Sequence, residues 1–203
     1  MEVRFPWVHG PFVGPGTGAG GDVTGTHCSM DELTRLALNA REGDREALER
    51  FVRVSQPAVW RLCAHLGGRS EADDLTQETF LRAIAALPAF RGDASARTWL
   101  LVIARRTCVD AVRRAIRRRR LLERSPLPSL EAPDDTGALD LDELVSRLDE
   151  DRRVAFVLTQ ILGLSYAETA EVCSCPIGTI RSRVARARGE LLGSLSDEQS
   201  ATG

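Results

Sequence analysis

Gly163–Leu192, GLSYAETAEVCSCPIGTIRSRVARARGELL, is the stretch that decides the fold. Ser165 is placed to cap a helix, and Glu168 follows three residues later, the spacing of a capping box. That helix should end near Val172. Cys173, Ser174 and Cys175 make a turn, and Pro176 suits the first position of the next helix. There Ile180, Val184, Ala187 and Leu191 recur at helical spacing and form one apolar face. Ser182, Ala185, Arg186 and Gly189 fall opposite, flanked by Arg181, Arg183 and Arg188. Small residues let a helix approach the major groove, and arginines reach base edges or phosphates. The plain alternative is a surface helix with a solvated basic face. Capping box, two-helix spacing and arginine face together favour a DNA-binding helix-turn-helix.

Charge is segregated along the chain. The sequence has 203 residues, a net charge of -2, and arginine as its only strongly basic residue. Between Arg91 and Arg124 stand eleven arginines against Asp93, Asp110 and Glu123. Between Glu131 and Asp151 stand nine acids against Arg147. A basic block beside an acidic one inside a near-neutral chain points to a polyanion-binding surface next to a linker.

Every periodic segment reads as helix, and none alternates like a strand. Helices are expected over 31–41, 44–66 (with Pro57 bending it), 71–87, 96–120, 140–147, 149–162, 165–172 and 177–192. The fold class is all-α: two small helical domains joined by a flexible acidic linker. The expected layout is a disordered Gly/Pro-rich arm at 1–29, a first domain at 30–122, a linker at 123–138, a second domain at 139–195 and a disordered tail at 196–203. Whether Met30 is the true start, or the arm docks through Phe5, Trp7 and Phe12, stays open on sequence alone.

No catalytic constellation is present. The histidines are His9, His27 and His65, and no phosphate-binding glycine loop, zinc-protease pair or nucleophile elbow occurs. The chain is expected not to be an enzyme, and to need no cofactor or metal. Cys28, Cys63, Cys108, Cys173 and Cys175 are odd in number and lack zinc-ligand spacing, so they read as thiols in a reducing cytoplasm. No signal peptide or membrane span is visible. In EADDLTQETFLR (71–82), Asp73, Asp74, Gln77 and Glu78 cover one outer face, able to dock on a basic partner. Phe90, Arg91, Gly92, Asp93, Ser95 and Arg97 mix aromatic, polar and cationic groups beside Arg105, Arg106, Arg113 and Arg114, as single-stranded nucleic-acid sites do. Trp99 shares helical spacing with Ile103 and reads more readily as core than as a wedge at a duplex fork.

ADDLTQETFLRA (72–83), FRGDASARTWLLVIARRTCVDAVRR (90–114) and LTQILGLSYAETAEVCSCPIGTIRSRVARAR (158–188), in this order, resemble the extracytoplasmic-function (ECF) sigma factors of bacterial RNA polymerase. RTWLLVIAR and CPIGTIRSRVARAR resemble most the actinobacterial sigma C branch. The resemblance implies that the first domain is sigma region 2 and the second is sigma region 4. It implies core polymerase (beta and beta-prime subunits) and promoter DNA as partners, with an anti-sigma factor as a further class of partner, and no membrane. By position, Asp73, Asp74, Leu75, Gln77, Glu78 and Phe80 match the segment that binds polymerase. Phe90, Arg91, Gly92, Asp93 and Ser95 match the loop that captures a flipped minus-ten base. Arg97, Trp99, Arg105, Arg106, Arg113 and Arg114 lie on the helix that touches this element. Pro176, Thr179, Arg181, Ser182, Arg183 and Arg186 match the minus-thirty-five recognition helix. Two positions depart from the family pattern: Arg106 stands where Asn is common, and Ser174 where the turn commonly has Gly. The main rival reading is a stand-alone helix-turn-helix regulator that binds DNA without polymerase. A protein-interaction adaptor and a thiol- or metal-responsive sensor built on the cysteines are more distant ones.

Overall fold

The structure, a computed structural model, describes residues 30–122 and 141–201. The expected arm and linker lie outside those residues. Among the described residues eight α-helices follow in order: α1 Met30–Arg41, α2 Arg45–Gly67, α3 Ala72–Ala86, α4 Ala96–Leu122, α5 Leu141–Arg147, α6 Glu150–Phe156, α7 Tyr166–Cys173 and α8 Ile177–Ala201. No strand occurs among the described residues.

Local chemistry explains most boundaries. Asp44 accepts from the Ala47 amide and caps α2 at 3.0 Å, and Asp149 does the same for Asp151 at 3.1 Å. Pro57 lies inside α2, which continues as one helix through it. The expected 149–162 helix is two pieces: α6 passes into a π-helical turn, Val157–Ile161. The last helix runs well beyond the expected end. Gly193 is followed by SLSDEQSA, which has neither Gly nor Pro to stop it, and α8 continues to Ala201.

The first half packs α1, α2, α3 and α4 around Leu33, Leu36, Phe51, Val59, Leu62, Ala83, Leu100 and Leu101. Gly67 matters here. The Leu75 Cδ1 atom fills the space that a Cβ on residue 67 would need. The second half packs α5 to α8 around Leu144, Val145, Val154, Leu158, Val172, Ile180 and Val184. Full burial of each of the Val, Leu, Ile and Phe side chains among these contributes about 1.5–3 kcal/mol, before conformational entropy is subtracted.

The two cores touch, so the halves are docked rather than strung apart. Helix α4 lies against α7, and α2 lies against α5, α6 and the π-helical turn. Ion pairing between Arg69 and Asp142 and a hydrogen bond from Arg97 to the Leu162 carbonyl cross this seam.

Candidate nucleic-acid interface

The helix-turn-helix is built from its caps upward. Ser165 Oγ accepts from the Glu168 amide at 3.2 Å, and the Glu168 carboxylate accepts from the Ser165 amide at 2.8 Å. This is the capping box expected from SYAE. Helix α7 ends on Ser174 with φ 53° and ψ 46°, a left-handed conformation. The amide of Ser174 bonds the Glu171 carbonyl at 3.1 Å, and that of Cys175 bonds Ala170 at 3.1 Å, closing the helix end. Ser174 is the one non-glycine at positive φ among the described residues. Pro176 precedes α8 rather than opening it; its carbonyl accepts from Thr179 at 2.9 Å.

In α8 the apolar face is buried as the spacing predicts: Ile180, Val184, Ala187 and Leu191 pack inward. Arg181, Ser182, Ala185 and Arg186 are exposed, and Thr179 is half-buried. Arg183 departs from the expected DNA face. Its guanidinium pairs with Asp151 of α6 and approaches Cys175 Sγ at 3.7 Å. Position 183 lies only three residues from Ile180 and one from Val184, so it sits at the rim of the buried face. Arg188 likewise reaches sideways, to Gln160 Oε1 at 2.6 Å. The outward cations left to meet a groove are Arg181 and Arg186.

The loop before α4 is partly structural. Phe90 is only 5% exposed, its carbonyl accepts from Arg41 at 2.8 Å, and its ring lies 4.8 Å from that of Trp99. The expectation that Phe90 offers a face to a base is therefore corrected: the ring is committed to the core. Trp99 is partly buried beside it, as its spacing with Ile103 suggested. Ser95 is also spoken for. Its hydroxyl accepts from the Thr98 amide at 3.1 Å and donates to Thr98 Oγ1 at 2.9 Å, capping α4. The Ala96 amide bonds Thr34 of α1 at 3.0 Å. Arg91 and Asp93 are exposed, either side of Gly92 at φ 80°.

Along α4 the arginines divide. Arg97 is drawn into the seam by Leu162. Arg105 is half-buried with its Nε enclosed and unpartnered, and its positive field reaches Cys173. Arg106, Arg113 and Arg114 are exposed.

On α3, Asp73, Asp74 and Gln77 are exposed, with Asp73 accepting from the Trp60 indole at 2.8 Å. Leu75 and Phe80 are 6% and 7% exposed and anchor the helix from beneath, which removes them from direct contact with a partner. Glu78 pairs with Arg82 at 2.8 Å, and Arg82 also reaches Asp110 of α4 at 3.1 Å. Arg82 is the residue that sequence reasoning missed. The i,i+4 pair with Glu78 was legible, but its second partner lies 28 positions away. Hydrogen bonds from Arg82 first to Glu78 and then to Asp110 raise its pKa further above the usual guanidinium value.

The described thiols are all free. Burial pushes the Cys173 thiol up to about 11, against a weaker opposing field from Arg105. The Cys108 thiol is pushed up by its hydrogen bond with Cys63 and by burial. No metal-ligating cluster and no helix long and apolar enough to cross a membrane occur among the described residues.

Comparison with known proteins agrees with this geometry. The family description "Sigma-70 region 2" matches residues 51–119, and "Sigma-70, region 4" matches residues 138–191. The ECF RNA polymerase sigma factor SigC of Mycobacterium tuberculosis is 48% identical over 176 residues, covering 84% of this chain and 95% of that protein. Among solved structures, the sigma factor RpoE of Bartonella quintana, in complex with the anti-sigma factor NepR, has a TM-score of 0.63 at 30% identity, covering 73% of this chain and 96% of that one. CnrH, in complex with the cytosolic domain of CnrY, has a TM-score of 0.65 at 28% identity, covering 83% and 99%. A helix-turn-helix with outward arginines, a capped arginine-bearing helix beside an acidic one, and matches to both sigma regions place this chain in one family: it belongs to the ECF sigma factors, the promoter-specificity factors of RNA polymerase.

Proposed function

We propose that this chain docks on core RNA polymerase through the exposed Asp73, Asp74 and Gln77 face of α3, and reads minus-thirty-five duplex DNA with Thr179, Arg181, Ser182 and Arg186 of α8. The loop at Arg91–Asp93 captures an unpaired minus-ten base, and Arg106, Arg113 and Arg114 follow the strand's phosphates. The observation that carries this reading is the outward face of α8, where Arg181 and Arg186 have no partner among the described residues. Set after the Ser174 turn that closes α7, that face can enter a major groove with its apolar side still buried.

Promoter opening then follows from differential binding. Contacts that exist only with the unpaired strand shift the duplex equilibrium toward melting. The polymerase performs the chemistry, and this chain needs no active site of its own. It works in the cytoplasm, where polymerase and promoter are. The docked seam holds Arg97 and Arg105 against the second half, so these two reach DNA only after the halves part. An anti-sigma factor, the partner of the Bartonella relative, is the class of inhibitor that fits a chain with such a seam.

Fluorescence anisotropy with a labelled promoter tests the reading. Specific binding that requires added core polymerase supports it. Equally tight specific binding by the chain alone would instead make it a stand-alone regulator.

A further inference from the structure

The seam leaves a cleft of about 540 Å³ at the C-terminal end of α2. Trp60, Arg61, His65 and Arg69 line it from the first half, and Asp142 and Arg153 from the second. Three guanidinium groups therefore meet one carboxylate. Arg69 pairs with that carboxylate. Arg153 donates through Nη1 to the Ser146 carbonyl at 2.8 Å, while its Nε is enclosed without an acceptor. Arg61 is exposed and has no ion pair among the described residues.

His65 reports the local field. Asp142 lies 3.9 Å from its Nδ1 and favours the imidazolium, yet the imidazole pKa is held below its ordinary value. Burial is the first cause, and the fields of Arg69, Arg153 and Arg61 add to it. All three cations thus converge on one side chain. The negative end of the α2 dipole opposes an anion with about half an elementary charge, less than the net of two positive charges here. A walled cleft with a net positive charge concentrates anions, and guanidinium forks match phosphate oxygens. The cleft is of small-molecule size, larger than one phosphate needs, and Trp60 supplies an aromatic wall.

We propose that this cleft binds a small organic phosphate of the nucleoside-diphosphate class, with its phosphates on Arg61, Arg153 and His65 and its ring against Trp60. Because both halves line the site, the ligand binds the docked arrangement and favours it over the parted one. The proposal rests on the docked seam and not on promoter recognition.

Calorimetric titration of the full chain with ADP tests it, with pyrophosphate and adenosine as comparisons. Expected are saturable one-to-one binding of ADP, weaker binding of pyrophosphate, and none of adenosine. Arg61→Gln and Arg153→Gln should each weaken ADP by about tenfold, the loss of one charge-assisted contact. Arg61 is exposed, so its variant tests the site even if Arg153→Gln fails to fold. The His65 ring resonance should titrate at higher pH with ADP bound. Arg118→Gln, an exposed change on α4 outside the cleft, should leave affinity unchanged. Absence of saturable binding, or equal weakening by Arg118→Gln, would overturn the site. Pyrophosphate binding as tightly as ADP would overturn the nucleotide class. Loss of promoter-directed transcription with ADP binding intact would count against the promoter reading alone.

Discussion

Arg97, on the first turn of α4, donates its guanidinium to the carbonyl oxygen of Leu162, 65 residues away in the other half of the chain. That carbonyl ends the π-helical turn, where no helical amide follows to bond it. One cation thus satisfies an orphan acceptor and holds the seam. Arg97→Ala should loosen the seam by about 1 kcal/mol, the net worth of one hydrogen bond. Small-angle scattering of the free chain is expected to show a larger radius of gyration; an unchanged radius would mean that apolar packing of α4 on α7 suffices.

Arg183 and Arg186 stand one turn-step apart on α8 and should behave oppositely. Arg186→Ala removes an outward cation: promoter affinity should fall about tenfold or more, for a base contact worth about 1–3 kcal/mol, with the melting temperature unchanged. Arg183→Ala removes the partner of Asp151. Both side chains are partly exposed, so the cost to stability is about 0.5–1 kcal/mol, with little change in promoter affinity. Swapped results would put Arg183 on the DNA.

Asp74 and Glu78 separate docking from scaffolding. Asp74→Ala should weaken binding to core polymerase in a pull-down and leave duplex recognition intact. Glu78→Ala frees one hand of Arg82, so part of its effect should appear as a lower melting temperature. Equal loss of DNA recognition by Asp74→Ala would contradict this division of surfaces.

Ser174 holds a left-handed conformation that costs a side-chain-bearing residue roughly 1 kcal/mol. Ser174→Gly relieves that cost but gives the unfolded chain more freedom. The net expectation is a gain of a few tenths to about 1 kcal/mol, seen as a raised melting temperature in calorimetry. A drop would show that the Ser174 side chain contributes a contact of its own.

His65 gives stability a pH dependence. Its folded pKa lies below the unfolded value near 6.5, through burial first and then the fields of Arg69, Arg153 and Arg61, against Asp142. The unfolded chain therefore binds more protons between the two pKa values, and stability falls as pH drops below about 6.5. Denaturant titrations at pH 7.5 and 5.5 should show this loss, and His65→Gln should diminish it. An equal slope in the variant would assign the dependence to other groups.

The helix-turn-helix was legible because its signals are local. A capping box, an apolar i,i+3/i+4 series and a turn lie within thirty residues, and all appear where expected. The helical class was legible for the same reason. What could not be read depends on contacts distant in sequence. Phe90 looks like a stacking platform until Trp99 and Arg41 close on it. Arg183 looks like a DNA contact until α6 brings Asp151 beside it. The docked seam had no sequence signal, since it joins the carbonyl end of a π-helical turn to an arginine 65 positions earlier.

Transcription in vitro is the most direct test of the central claim. The purified chain is added to sigma-free core polymerase on fragmented genomic DNA, and the products are sequenced. The expected result is a set of new transcripts with defined starts and a shared pair of upstream elements, lost with Arg186→Ala or Asp74→Ala. No new transcripts, with specific DNA binding by the chain alone, would contradict it.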